Sequence, residues 1–449
     1  MQDSYLSLFP PLLAITIAIW RKNALLALLA GIIVSCIMTN SGNLYPALND
    51  CFSMLATVFS SLGNIYIIGF SLLIGALVSL MNKSGAVDGF IQHLASLNLV
   101  KSKRSAAMLP TIVGSMIFTD TNLSIFTAGT VSQKVFDQYQ LSREKLAYLI
   151  DSTCAPISIL ILINGWGAYV LGLIQGHKIE EPLSVLIATI QYNFYPILAL
   201  MLAYYTAFSG KSYGALGKSK SKESGYSDQA INQKSVSPLL MWVPLFSLII
   251  ITLSLLFVSG EGNIRKGSGS FSVFFAIFIT LIILISLIRS QRILTTKTII
   301  QTSFLGIKKI WLPVSILILS LVFGDAIKAL GTGIYLSQLI NLEVASYLIA
   351  PLLFIVAGSM AFATGTSWGT FAILIPIAIP VAINTELPIE FLVAAVLGGG
   401  IFGDHASPIS DTTVVASIAS GCDHVEHVKT QLVCAVVTIL LYTVLGALL

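Results

Sequence analysis

GGGIFGDHASPISDTT, residues Gly398 to Thr413, sets two aspartates, Asp404 and Asp411, a proline and four hydroxyl side chains into an otherwise apolar stretch. A carboxylate at membrane depth costs at least ~2.5 to 3.5 kcal/mol on insertion scales, so it is normally retained for a proton, a cation or a charged substrate. Pro408 breaks the helical hydrogen-bond ladder, and the glycines permit close helix approach. Freed carbonyls, with Asp404, Ser407, Ser410, Asp411, Thr412 and Thr413, make an oxygen-rich pocket that suits a hard cation such as Na+. The stretch predicts a membrane helix over 389–419 that is interrupted around an ion. A kinked helix whose Ser and Thr satisfy their own backbone accounts for the hydroxyls but not for two acids seven residues apart. Asp120 and Asp151 lie in comparable apolar surroundings, and no lysine or arginine is expected to share the depth of these four acids.

Composition points the same way. Of 449 residues, 56% are hydrophobic and 10% charged, with mean hydropathy +0.90; ordinary globular domains carry roughly 25% charged residues. Apolar runs near the ~20 residues needed to cross a bilayer recur along the chain, which predicts an all-α polytopic membrane protein with about 10 transmembrane helices. The first apolar run, 4–20, is followed by Arg21 and Lys22, the reverse of a signal peptide, and reads as a retained helix. Five scattered cysteines without CxxC spacing read as small apolar residues, giving no zinc site or disulfide framework. No HExxH, nucleotide-binding glycine loop or redox motif is present, so no enzyme class and no cofactor is expected.

Helices are expected at about 4–20, 24–40, 65–82, 146–175, 184–208, 237–258, 270–289, 310–326, 389–419 and 428–449, with 43–63 flat on the outer surface. The segments 105–136 and 344–382 are interrupted by TDTN and ATGTSWGT and read as re-entrant hairpins, because non-helical backbone at membrane depth needs protein or water around it. With the N-terminus outside, 20 Lys and Arg fall inside and four, Lys178, Arg265, Lys266 and Lys328, outside. That orientation in the cell inner membrane makes the Ser-, Gly- and Lys-rich stretch 209–236 a flexible cytoplasmic linker. It separates a first repeat, 1–208, from a second, 237–449.

The halves match in order. Gly114, Ser115, Met116 and Phe118 correspond to Gly358, Ser359, Met360 and Phe362, and APIS at 155–158 corresponds to SPIS at 407–410. In this topology the two hairpins enter from opposite faces and the two interrupted helices, 146–175 and 389–419, cross in opposite directions. Inverted-topology repeats of this kind place a substrate site near the midplane. The first hairpin tip is Thr119, Asp120, Thr121 and Asn122; the second is Thr364, Gly365, Thr366, Ser367, Trp368, Gly369 and Thr370. Asp404, Asp411 and Asp120 are the expected Na+ ligands, with Thr121, Asn122, Asp151, Thr366, Ser367, Ser407, Ser410 and Thr412 completing the substrate and ion site. Pro156, Gly365, Trp368, Gly369, Gly403 and Pro408 are expected to shape the breaks or gate them. Asn164 and Trp166 are candidates to face the site, and His405 is a candidate proton relay.

At GTSWGT, Gly365 to Thr370, and GDHASPISDTT, Gly403 to Thr413, the chain resembles the NhaC-type Na+/H+ antiporter family. The likeness in helix order extends over nearly the whole chain. It differs in that these elements lie in the second half, where the family pattern has them in the first, which marks a divergent branch. The resemblance implies Na+ efflux against H+ entry through an inner membrane, an architecture like that of the ion transporter superfamily, and a homodimer. The expected activity is therefore secondary active transport, Na+/H+ antiport by alternating access. The expected partners are the lipid bilayer, Na+ and H+, with no nucleic acid. A second reading is Na+-coupled or exchange transport of an amino acid or organic carboxylate, because two polar tips exceed what a bare cation needs. A third, an intramembrane aspartyl protease, would need Asp151 and Asp404 to share a proton.

Overall fold

A computed structural model describes residues 5–96, 100–177, 179–212, 216–218, 237–339 and 346–429. The expected linker 209–236 and helix 428–449 lie almost wholly outside these. Among the described residues every regular element is helical: the protein is an all-α polytopic membrane protein. Six helices are long and apolar enough to cross a bilayer, and two bent pairs bring the number to eight.

The chain begins with two short helices, α1 (Phe9–Arg21) and α2 (Ala24–Thr39), packed on one another and turned at Lys22, whose φ is +51°. Their 13 and 16 residues fall short of the ~20 that span a bilayer. α3 (Leu44–Ser60) covers the expected surface segment and packs on α2, with Tyr45, Leu48, Phe52 and Phe59 exposed. Then come α4 (Leu62–Lys83), α5 (Ala86–Ser96), the pair α6 (Lys103–Met116) and α7 (Thr121–Gln138), and the pair α8 (Arg143–Leu160) and α9 (Gly165–Gln175). α10 (Pro182–Tyr192) and α11 (Phe194–Ser209) close the first half; the single helix expected over 184–208 is instead bent by 47° at Asn193.

The second half contains α12 (Leu239–Ser259), α13 (Gly269–Ser290), α14 (Thr296–Ala329), α15 (Thr332–Leu339), the pair α16 (Ser346–Thr364) and α17 (Ser367–Asn384), and the pair α18 (Ile389–Ala406) and α19 (Asp411–Ser420). α14 is the main departure from the sequence reading. It is 34 residues long where 310–326 was expected, so it rises ~51 Å and carries Lys308 and Lys309 on the helix itself, not in a loop. Thr295 starts it by accepting a hydrogen bond from the Thr298 amide.

Glycines set the closest helix contacts. A Cβ on Gly403 would collide with the Gly358 carbonyl oxygen, and one on Gly399 with that of Phe354, so α18 lies backbone against backbone on α16. α4 and α14 cross in the same way at Gly75 and Gly306, each of whose missing side chains would strike the other's carbonyl. Ile310 lies beside Gly75 and Ser79 beside Gly306, so the two helices run antiparallel.

Candidate functional site

Four helix breaks converge on one cavity. α6 gives way to α7 through residues 117–120, and Asp120 starts α7, its Oδ1 accepting from the Leu123 amide at 2.7 Å. α16 gives way to α17 at Gly365 and Thr366. Gly365 has φ +68°, a conformation that disfavours a side chain, and a Cβ there would lie 2.7 Å from the Ile409 carbonyl oxygen. α8 and α9 are bent by 41° across residues 161–164. Asn164 organises that break: its amide nitrogen donates to the Phe118, Ser158 and Ile161 carbonyls at 2.9, 2.6 and 2.9 Å, and its oxygen accepts from the Trp166 and Gly167 amides. α18 and α19 are separated by residues 407–410, where Ser407 donates to the Phe362 carbonyl at 2.7 Å. Pro156 lies inside α8, whereas Pro408 lies in the break itself, so the APIS and SPIS match does not align the two breaks.

The cavity has a volume of about 560 Å³. Asp120, Thr121 and Asn122 line it from the first tip, Asp404 from the end of α18, and Asp411 and Thr412 from the start of α19. Asp404 is 3% exposed, and both its oxygens are held: Oδ1 accepts from Ser410 Oγ at 2.6 Å and Oδ2 from Ser367 Oγ at 3.0 Å. Ser410 and Thr412 hydroxyls pair at 2.9 Å, and Thr121 donates to Ser158 at 3.2 Å. The Thr119 hydroxyl, 4% exposed, lines the cavity with no hydrogen-bond partner among the described residues. Three carboxylates and an unpartnered hydroxyl lining one cavity are oxygen donors of the kind that fits Na+. Trp166, Tyr169 and Trp368 form an aromatic wall, with ring centroids 5.8 and 4.8 Å from Trp368, and the Tyr169 hydroxyl donates to the Trp368 carbonyl.

The remaining sequence candidates support the cavity from outside it. Ser367, Ser407 and Ser410 act through the hydrogen bonds above, and the Thr366 carbonyl accepts from Thr364 and Thr370. A Cβ on Gly369 would meet Ala24 of α2 at 2.6 Å, so that glycine admits a neighbouring helix.

Asp151 is fully buried and does not line the cavity. Its Oδ2 lies 3.1 Å from Nε2 of His427, and its Oδ1 lies 4.0 Å from Nε2 of His405, whose Nδ1 is 2.9 Å from the Tyr195 hydroxyl. This buried cluster joins α8, α11, α18 and residues 424–429. His427 lies in a polar stretch with Asp423 and Glu426, which by itself reads as a solvated loop, yet it is fully buried. Asp151 and Asp404 engage different partners and form no shared-proton dyad.

The expectation that no basic residue shares the acids' depth does not hold. Lys309 lines the cavity together with the carboxylates, as do Asn82, Ser79 and Ser71 of α4. Counting it as loop followed from starting its helix at 310; the apolar run of α14 alone does not reveal that the helix begins fourteen residues earlier, at Thr296.

Comparison with known proteins agrees with this architecture. The model of the Na+/H+ antiporter family matches residues 146–447. An uncharacterised protein of Haemophilus influenzae is 31% identical over 96% of this chain and 88% of its own. The malate-2H+/Na+-lactate antiporter of Bacillus subtilis is 38% identical over 104 residues, 22% of each chain. The YdaH transporter of Alcanivorax borkumensis shares the fold with a TM-score of 0.61 at 12% identity, over 90% of this chain and 89% of that one.

Proposed function

The chain belongs to the Na+/H+ antiporter family, and from that premise we propose that it exchanges Na+ for H+ across the cell inner membrane by alternating access. It is a secondary transporter of the antiporter kind. The observation that carries the finer reading is the Asp404 carboxylate, buried and oriented by Ser367 and Ser410 on a cavity it shares with Asp411 and Asp120.

Na+ enters between these carboxylates, with Thr119 and Thr412 hydroxyls completing its oxygen shell. An empty site would leave negative charge in a poorly solvated interior, so either Na+ or H+ must occupy it, and the two compete. Access alternates through the paired elements α6–α9 and α16–α19, which we read as inverted repeats with hairpin tips reached from opposite faces. The N-terminus lies outside and the linker 209–236 in the cytoplasm, and two copies associate in the bilayer.

The test uses purified protein in proteoliposomes with an internal pH dye and pulses of Na+, Li+ or K+. Antiport predicts proton movement opposite to Na+ in the absence of any organic solute. A preparation that moves a solute but shows no Na+-dependent pH change would reject it.

A further inference from the structure

The lysine in the cavity is a feature that cation exchange does not require. Lys309 is exposed, lines the cavity, and has no ion pair or hydrogen bond to any described residue. Its depth follows from the α4 and α14 crossing. Ile310 lies beside Gly75, eight residues before α4 ends at Lys83, so Lys309 sits about 12 Å of helix rise inside that end. Lysines near helix ends reach the interface with their amino groups; this one points instead into a cavity lined by three carboxylates. An ammonium at membrane depth is retained where it has a partner; Lys309 shares its cavity with Asp120, whose charge it feels, but hydrogen-bonds no described residue, so its donors are left for a ligand.

We infer that Lys309 holds the carboxylate of a small amphoteric organic solute, an α-amino acid, bound in the same cavity as the cation. The cavity supplies both signs. Lys309, with the Ser79 hydroxyl at the level of the crossing, supplies donors for one carboxylate, and Ser71 and Asn82, about 16 Å apart along α4, extend the polar wall to either side. Asp120 and Asp411, which line the same cavity, meet an ammonium, while Asp404, oriented by Ser367 and Ser410, keeps the cation. A second carboxylate on the ligand would face the acids, which disfavours dicarboxylates. The volume of about 560 Å³ lies in the range of small-molecule pockets, roughly 300–1,000 Å³, and far exceeds one cation. Trp166 and Trp368 supply an apolar face for the side chain of the solute.

This inference rests on the reading of the cavity as an antiport site, and the experiment separates the two. Thermal stability of wild type, K309Q and K309R is measured with and without Na+ against L-glutamine, L-arginine, L-lactate and L-malate, alongside Na+-driven pH changes of the wild type in proteoliposomes. Melting without ligand and the elution profile identify any variant that has not folded, in which case K309R carries the comparison. An amino acid should stabilise the wild type, with apparent affinity lower by roughly ten- to a hundredfold in K309Q and partly restored in K309R. An amino-acid shift of equal size in wild type and K309Q would overturn the inference, as would stabilisation by L-malate but by neither amino acid. Na+-driven exchange with no shift from any of the four solutes would overturn it while leaving antiport intact. An amino-acid shift lost in K309Q, without any Na+-driven pH change, would keep it and reject antiport.

Discussion

The Asn122 side-chain amide donates to Asp411 Oδ2 at 3.2 Å, joining residues 289 positions apart in sequence. Asn122 belongs to the first hairpin and Asp411 opens the last short helix described in the second half, so the two halves meet at the cavity proposed to take the cation. Replacing Asn122 would change the environment of the Asp411 carboxylate, and a transport cycle that moves one tip must break or carry this bond.

Asp404→Asn should abolish Na+-driven exchange with the protein still folded, since it deletes the ligand and removes a buried charge. Ser367→Ala and Ser410→Ala each remove one hydrogen bond to that charge and should weaken apparent Na+ affinity by roughly tenfold or more. Sodium titrations of the pH-dye signal measure this. Unchanged affinity in both serine variants would show that Asp404 is not the coordinating carboxylate.

Apparent Na+ affinity should fall as the pH falls. A protonated carboxylate loses the charge that holds Na+, so acid shifts occupancy toward H+ and the Na+ concentration for half-maximal signal rises. A sodium titration that is flat between pH 8.5 and 6 would argue against shared carboxylates.

Asp151 should behave differently from Asp404. It binds His427, not the cavity, so Asp151→Asn and His427→Gln should both lower the melting temperature. A double variant should cost less than the sum, because each single change already breaks the same contact. Sodium affinity should shift less in these variants than in Ser410→Ala, and a larger shift would place Asp151 in the ion path after all.

Gly403→Val should destabilise by about 1 to 3 kcal/mol or more, because its side chain would enter the Gly358 backbone. Thermal melting in detergent checks it, and a wild-type melting curve would mean that α16 and α18 are not in backbone contact.

Cysteines at Asn122 and at Thr366 should be labelled by a membrane-impermeant thiol reagent from opposite faces, with Na+ altering both rates. Labelling of both from one face under every condition would exclude inverted hairpins.

Much of this was legible in the sequence. Interruptions in apolar runs marked the breaks at 117–120, 365–366 and 407–410, whereas the break expected about Pro156 lies further on at 161–164; the cost of an intramembrane carboxylate singled out Asp404, Asp411 and Asp120, which line the cavity, and also Asp151, which does not. Other features depend on which helix faces which. His427 reads as loop because its neighbours Asp423 and Glu426 are polar, and only tertiary packing carries it to Asp151. Lys309 reads as interfacial because a lysine pair precedes an apolar run, and only the register of α14 against α4 turns it inward. The bend at Asn193 is announced only by Pro196, whose missing N–H leaves the Tyr192 carbonyl without a helical partner.

The crossing of α4 and α14 at Gly75 and Gly306 has a mechanical consequence. Two backbones in contact leave no side chains between them to act as a bearing, so neither helix can slide past the other without lifting a peptide group off its neighbour. The wall formed by Lys309 of α14 with Asn82 and Ser71 of α4 is therefore held as one piece, and a change of access under the proposed exchange would have to move it whole.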